Sequence, residues 1–184
     1  VAREEELQKP GDHVVYDIVE RSVIVMRGDD GAIRGFYNSC LHRGRALRTQ
    51  SGSTGQLKCP FHGFTWDLRG RFQSKPCSWD FKHLDDAKLE LPQVKVESWG
   101  GFVFINFDLD AQPLIEFLGV LPEHFASYMM DRSHAIAHVQ RRIPCNWKVG
   151  QEAFFEAMHT KVTHPGIMTF TGDVDSQYDV YGDN

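Results

Sequence analysis

The sequence has no apolar run long enough to cross a membrane as a helix. Residues Val1–Pro10 are charged and lack the apolar centre of a secretory signal peptide. Internal repeats and low-complexity segments are also absent. These absences favour an ordinary globular protein, which we expect in the cytoplasm and without membrane attachment. Because the chain begins with Val, we do not expect its first residue to be the natural start.

Cysteine is scarce, with four in 184 residues, which is too few for a disulfide-rich secreted fold. Two of the four stand two or three residues before a histidine and are candidates for metal binding. The other two are Cys77 and Cys145. We expect both to be reduced thiols, with a disulfide between them as the alternative.

Two short segments each contain one cysteine and one histidine, Cys40 with His42 and Cys59 with His62. Two thiolates and two imidazoles are enough for one closed metal centre. A structural zinc site usually pairs cysteine with cysteine and histidine with histidine along the chain. A Rieske [2Fe–2S] centre instead needs two cysteines on one iron and two histidines on the other. The mixed pairs therefore favour a Rieske centre, and a structural zinc site is the alternative.

Positive charge is concentrated around these segments although the whole chain carries −5. Residues 40–75 contain seven basic side chains against Asp67, a balance of +6, so the remainder carries −11. One interpretation is a solvated surface with local counter-ions; the other is a basic collar that steers an acidic electron donor to a redox centre. Nucleic acid is not an expected partner, because the chain is acidic overall and no recognisable binding motif accompanies the basic residues.

Segments rich in β-branched residues, separated by glycine-containing turns, predict a β-rich first part of the chain. The predicted strands are Val14–Val19, Ser22–Arg27, Ala32–Tyr37, Phe64–Trp66, Val94–Val96, Gly101–Phe107 and His134–Ile143. The predicted helices are Leu114–Leu118, Pro122–Met129 and Trp147–His159. The pattern changes near Asp108–Pro113, so we place a domain boundary at about residue 112. The tail over residues 171–184 is expected to be a polar loop.

A second segment with ligand-type residues contains Glu152, Glu156, His159 and His164. On a regular helix the first three share one face, whereas five residues place His164 about 140° away from His159. One metal bound by both histidines therefore needs a helix that distorts or ends between them, which Pro165 favours. Non-haem Fe(II) oxygenases use two histidines and one carboxylate.

Together the two segments resemble the large (α) subunit of Rieske non-haem iron aromatic ring-hydroxylating oxygenases. The first matches as C-x-H, sixteen residues, then C-x2-H; the second matches as N-W-K, then E-x2-H-x4-H-P. The resemblance implies a β-rich Rieske domain over residues 1–112, with small antiparallel sheets and a two-loop cluster-binding subdomain. The truncated start of an α+β catalytic domain is implied over residues 113–184.

The resemblance also implies roles for individual residues at the first centre. Cys40 and Cys59 would bind the inner iron of a [2Fe–2S] cluster, and His42 and His62 would bind the outer iron.

At the second centre, His159 and His164 would be two of three ligands to a mononuclear Fe(II). The third ligand, a carboxylate, would lie outside this chain. Glu156, where the family more often has Asp, would bridge from His62 of one subunit to His159 of the next.

The activity implied is that of a terminal oxygenase for O2-dependent hydroxylation of an aromatic or other hydrophobic substrate. Electrons would come from NAD(P)H through a flavin reductase, with or without a ferredoxin, and the assembly would be a homotrimer or an α3β3 complex. Alone, the 184-residue chain is expected to be inactive as an oxygenase. The alternative is a Rieske-type ferredoxin that only carries electrons; residues 1–112 fit it, and residues 146–165 argue against it.

Overall fold

The computed structural model describes residues 1–170 together with residues 177 and 180. The polar loop predicted over residues 171–184 therefore lies outside the described residues, apart from those two positions. The chain divides into two compact units, Val1–Ala135 and Ile136–Asn184. No helix in the described ranges is long and apolar enough to span a bilayer.

The first unit contains ten β-strands and two short α-helices. The strands are β1 Ala2–Arg3, β2 Asp12–Ile18, β3 Arg21–Arg27, β4 Ile33–Tyr37, β5 Gly52–Ser53, β6 Leu57–Lys58, β7 Thr65–Trp66, β8 Phe72–Ser74, β9 Gln93–Trp99 and β10 Phe102–Asn106. The helices are α1 Leu114–Leu118 and α2 Leu121–His124. Single 3-10 turns occur at Glu4–Glu6, Asp86–Leu89, Ala126–Tyr128 and Met130–Arg132.

Two antiparallel sheets organise this unit. The larger has seven strands in the order β1-β10-β9-β4-β3-β2-β5, and the smaller has three in the order β6-β7-β8. All strand pairs in both sheets are antiparallel. The prediction of small antiparallel sheets is thus confirmed.

Strand β3 is buried on both faces and separates two hydrophobic cores. Side chains alternate across a strand, so Val23 and Val25 point to one core while Ile24 and Met26 point to the other. The second core also contains Cys40 and Cys59, together with Phe36, Leu47, Leu57, Phe64, Trp66, Leu68 and Leu91. The packing on one face of β3 is therefore also the packing beneath the two cysteines.

Residues beyond 112 continue to pack on the sheet of the first unit. The amide of Leu114 donates to the Glu97 carboxylate at 3.1 Å, and the Arg3 guanidinium donates to the Ser133 carbonyl at 2.5 Å. The boundary placed at residue 112 marks the point where the strands have ended, at Asn106. As a boundary between two functional domains it stays a prediction.

The second unit contains α3, Trp147–Glu152, α4, Thr160–Thr163, and a 3-10 turn at Ile167–Thr169. The strand predicted at His134–Ile143 is wrong: the segment is exposed and has no strand partner in the described part of the chain. An alternating pattern alone does not form a strand, because the strand also needs a neighbouring strand with free backbone hydrogen-bonding groups.

The helix predicted over Trp147–His159 is correct only in its first part, because it ends at Glu152. Its start is confirmed, with the Asn146 side chain accepting from the Lys148 amide at 3.0 Å. Likewise the helix predicted over Pro122–Met129 divides into α2 and a 3-10 turn.

Candidate metal centre

The two Cys/His segments form two loops with the same backbone arrangement. In the first, the Gly44 amide donates to the Cys40 carbonyl at 2.8 Å, and in the second the Gly63 amide donates to the Cys59 carbonyl at 3.0 Å. Both glycines have positive φ, 71° and 74°, which closes each loop at little steric cost. Loop 1 follows β4, and loop 2 connects β6 to β7.

The two loops bring the cysteine side chains together in the protein interior. Cys40 is 3% exposed and Cys59 is 2% exposed, and a hydrogen bond joins their thiols. Burial raises the pKa of Cys40. Burial also acts to raise the pKa of Cys59, but amide donors from Phe61 and His62 outweigh it, so this pKa falls below its ordinary value. Without metal, Cys40 thus keeps its proton while Cys59 more readily becomes a thiolate that metal can bind.

The histidines form a second pair on the outer side of the thiols. His42 Nδ1 lies 3.1 Å from His62 Nδ1, so the same nitrogen of each ring is directed at the other ring. His42 is exposed and His62 is half-buried. The Phe64 ring stacks on His42 at 5.0 Å with an angle of 7° between planes, which holds that imidazole in place. Two imidazoles are thus presented together at the protein surface.

This donor set fits a [2Fe–2S] group with one ligand pair on each iron. The sulfur pair is buried and the nitrogen pair borders solvent, so one iron would be buried and the other near the surface. In the described residues, no three His, Cys, Asp or Glu side chains gather around a single point. The four donors are arranged as two pairs, and their roles as ligands stay predictions.

The predicted basic collar over residues 40–75 has fewer basic side chains with unpaired charge than its balance of +6 indicates. Three of its seven basic side chains form ion pairs: Arg69 with Asp29 at 2.6 Å, Arg71 with Asp67 at 2.8 Å, and Lys75 with Asp86.

Of the four basic side chains that remain, Arg48 is partly buried, and three are exposed beside the loops: Arg43, Arg45 and Lys58. None of the three forms an ion pair with another described residue. Arg45 also acts on the Cys59 thiol, favouring its charged form.

The second candidate centre lies in the second unit. His159 immediately precedes α4 and His164 immediately follows it, and their ring centroids are 5.5 Å apart. The helix that must end between them does so, as the sequence predicts, because α4 has only four residues. Its flanking histidines can therefore approach each other.

The Glu156 carboxylate is hydrogen-bonded to the first of these histidines, His159. Its Oε1 lies 2.5 Å from His159 Nδ1, and its Oε2 accepts from the His159 amide at 3.1 Å. The hydrogen bond from His159 lowers the pKa of Glu156, so the carboxylate is ionised at neutral pH. With Nδ1 engaged, Nε2 is the ring nitrogen left for a metal. The shared helical face predicted for Glu152, Glu156 and His159 is wrong, because α3 ends at Glu152.

Two residues near the first centre are missing from the sequence-based set of site residues. Phe64 stacks on His42, and Asn38, which precedes loop 1, forms hydrogen bonds with Leu47 and Arg48, which follow it. The only signal for either in the sequence is its position: Phe64 directly follows the second loop, and Asn38 stands two residues before Cys40.

All four cysteines are free thiols, as expected for Cys77 and Cys145, and both of these are exposed. No disulfide therefore joins the loops of the first unit.

Comparison with known proteins places these features in a family. The model of the Rieske [2Fe–2S] domain matches residues 1–92, half of the chain. The large oxygenase component of salicylate 5-hydroxylase from Ralstonia sp is 35% identical, over 92% of this chain and 44% of that protein. Chlorobenzene dioxygenase subunit alpha from Cupriavidus sp. (strain PS12) is 34% identical, over 89% of this chain and 38% of that protein.

A solved structure of a quaternary ammonium Rieske monooxygenase in complex with L-carnitine shares the fold. It aligns with a TM-score of 0.86 and 30% identity, over 94% of this chain and 50% of that one. The chain thus spans half or less of the length of these relatives. The predicted β-rich Rieske fold is confirmed, and the chain belongs to the Rieske [2Fe–2S] domain family, where the relatives that it matches are large subunits of Rieske oxygenases.

Proposed function

We propose that this chain is part of the large subunit of a terminal oxygenase, in which Cys40, Cys59, His42 and His62 hold a Rieske cluster. The observation that carries the proposal is the buried thiol pair with two imidazole Nδ1 atoms 3.1 Å apart beside it. When bound, such a cluster supplies a carrier for one electron at a time. The protein's own contribution is to bury the thiolates, to keep the imidazoles near the surface, and to hold all four donors in place.

We further propose that His159 and His164 are two ligands of a mononuclear Fe(II) whose third ligand, a carboxylate, lies outside this chain. When bound, that iron supplies O2 activation for hydroxylation. Glu156 orients the His159 ring by accepting from Nδ1, which leaves Nε2 for the metal. The paired rings at 5.5 Å support this assignment over isolated surface histidines.

The assembly and its partners complete the proposal. We propose a homotrimer or α3β3 complex in which Glu156 of one subunit connects to His62 of the next, with electrons from NAD(P)H through a flavin reductase or ferredoxin. A cytoplasmic location and an aromatic or other hydrophobic substrate belong to the same proposal. The names of the salicylate and chlorobenzene relatives support an aromatic substrate. The relative solved with L-carnitine makes a quaternary ammonium compound the second candidate.

The protein purified without oxygen should contain equal amounts of iron and acid-labile sulfide and should absorb visible light. The reason is that two buried thiols and two paired imidazoles match one two-iron cluster. Metal analysis, sulfide assay and absorption spectroscopy measure this directly. A colourless, sulfide-free sample containing zinc would instead support the structural zinc alternative.

Reduction of the cluster by an acidic redox protein should slow as salt is added. Arg43 and Arg45 are exposed and form no ion pair with the described residues, so they attract a negative partner across solvent. The double variant R43Q/R45Q should lower the low-salt rate about tenfold, which stopped-flow spectroscopy measures.

The matched control for this experiment is the double variant R69Q/D29N, which removes both charges of one ion pair and leaves the net charge unchanged. Arg69 lies in the same basic segment, but Asp29 at 2.6 Å offsets its charge. This variant should leave the low-salt rate nearly unchanged. Rates in the parent protein that do not depend on salt would remove the steering argument.

A further inference from the structure

Arg48 is a partly buried cation with no role in the proposed electron transfer. Within the described residues it has no ion-pair partner, and burial lowers the pKa of its guanidinium. The guanidinium instead donates to four oxygen atoms: Leu47 O at 2.8 Å, Thr54 Oγ1 at 2.7 Å, Gln56 O at 2.6 Å and Lys58 O at 3.4 Å. Its charge is therefore solvated by backbone dipoles and one hydroxyl group.

These acceptors connect the two cluster loops. Arg48 stands four residues after Gly44, where loop 1 ends, and Lys58 immediately precedes Cys59, where loop 2 begins. One planar guanidinium thus reaches from the end of one loop to the start of the other. A planar fork with several donors in fixed directions suits this task better than a flexible ammonium group.

Asn38 fixes the same segment from the other side. Its Oδ1 accepts from the amides of Leu47 at 2.8 Å and Arg48 at 3.0 Å, and its Nδ2 donates to Arg48 O at 2.7 Å and Ser22 Oγ at 2.9 Å. The side chain is 5% exposed and uses both its donors and both its acceptor positions. Because Asn38 stands two residues before Cys40, these bonds close loop 1 at its base.

We propose that Arg48 is a positioning residue that straps the two cluster loops together, while its fixed positive charge raises the reduction potential of the cluster. The inference rests on the proposed function, since it assumes a cluster between the loops. A reduced cluster carries one more negative charge than an oxidised one, so a nearby cation stabilises the reduced form. A cation whose charge no carboxylate offsets acts more strongly than one in an ion pair.

Three variants separate the effect of the hydrogen bonds by which Arg48 joins the loops, here called the strap, from the effect of its charge. R48M removes both, and R48K retains the charge but loses the planar fork. R45M removes the charge of Arg45, which directly follows loop 1 and forms no ion pair with the described residues. The measurements are the rate of cluster loss in a chelator, followed by visible absorption, and the midpoint potential from a redox titration. Hydrogen exchange of residues 40–48 and 56–59 in the cluster-free protein reports the strap directly.

R48M should lose its cluster about tenfold faster than the parent, because several hydrogen bonds to a charged group are lost. Its potential should also fall. R48K should lose the cluster faster while keeping the potential of the parent, and R45M should show a lower potential without faster loss. Amide exchange in both loops should rise in R48M and stay unchanged in R45M.

Equal rates of cluster loss and of amide exchange in R48M and R45M would overturn the strap. A potential that falls as far in R48K as in R48M would overturn the charge effect. If R48M does not fold, T54V removes one of the four acceptors and should raise the loss rate about threefold, and an unchanged rate would count against the strap. A parent protein without iron and sulfide overturns the proposed function instead, and amide exchange then still decides whether Arg48 joins the loops.

Discussion

Replacing His62 by Cys should lower the reduction potential of an assembled cluster by a few hundred millivolts. Rieske clusters with two histidine ligands lie at roughly −150 to +300 mV, whereas plant-type clusters with four cysteines lie near −400 mV. The imidazole of His62 borders solvent, next to His42 at 3.1 Å between Nδ1 atoms. A thiolate in its place adds a negative charge to the outer iron and disfavours the extra electron.

The measurement is a redox titration of the assembled H62C cluster, together with its electron paramagnetic resonance spectrum. The matched control is H83C, which also exchanges a histidine for a thiol, at an exposed position, but leaves the four candidate ligands intact. His83 is adjacent to Phe81, with ring centroids 6.2 Å apart, and not to the imidazole pair. H83C should keep the potential of the parent. An assembled H62C cluster with unchanged potential would exclude His62 as a ligand.

The strands around β3 could be predicted from two sequence features, the residue types within the strands and the turn residues between them. β2 and β3 are rich in β-branched residues, and the turn at Gly28–Gly31 separates β3 from β4. Strands β1 and β5 were not predicted, because each has only two residues. Their signal lies in distant partners, such as Val103 for Ala2.

The candidate ligands of the first site could be predicted from spacing, because each loop has one cysteine and one histidine, two residues apart in loop 1 and three in loop 2. The ion pairs around the site could not be predicted in this way. The partners of Arg69 and Lys75 are Asp29 and Asp86, which are 40 and 11 residues away along the chain. A charge balance taken over residues 40–75 counts both cations and neither anion. For the same reason, the acceptors around Arg48 are visible only after folding.

The second site shows a different limit. The early end of a helix between His159 and His164 follows from local residue preferences, and α4 confirms it. The prediction that the preceding helix continues to His159 was wrong, although most of its residues are good helix formers. Helices shorter than about 12 residues depend on packing more than on propensity, and Phe154 and Phe155 are exposed in the described unit. Propensity therefore predicts where this helix begins, at Asn146, but not where it ends.

Replacing Gly70 by Ala should destabilise the first unit by about 2–5 kcal/mol, the sum of backbone strain and a steric clash. Gly70 has φ of +80°, and a Cβ there would lie 2.4 Å from the Phe36 ring. Phe36 is fully buried and belongs to the core that contains Cys40 and Cys59. The ring cannot move without displacing that core, so the stability loss should be accompanied by faster cluster loss.

Gly31 provides the matched control, because it shares the backbone conformation without the contact. Its φ is +81°, and nothing lies within 4 Å of a Cβ placed on it. G31A should therefore cost only the backbone strain, about 1–2 kcal/mol, and should leave cluster retention unchanged. Urea unfolding of the cluster-free proteins by circular dichroism, with cluster retention measured separately, compares the two variants. Equal losses of unfolding free energy in G70A and G31A would mean that the Phe36 ring moves to accommodate the added methyl group. The core beneath the two cysteines would then rearrange more easily than its packing indicates.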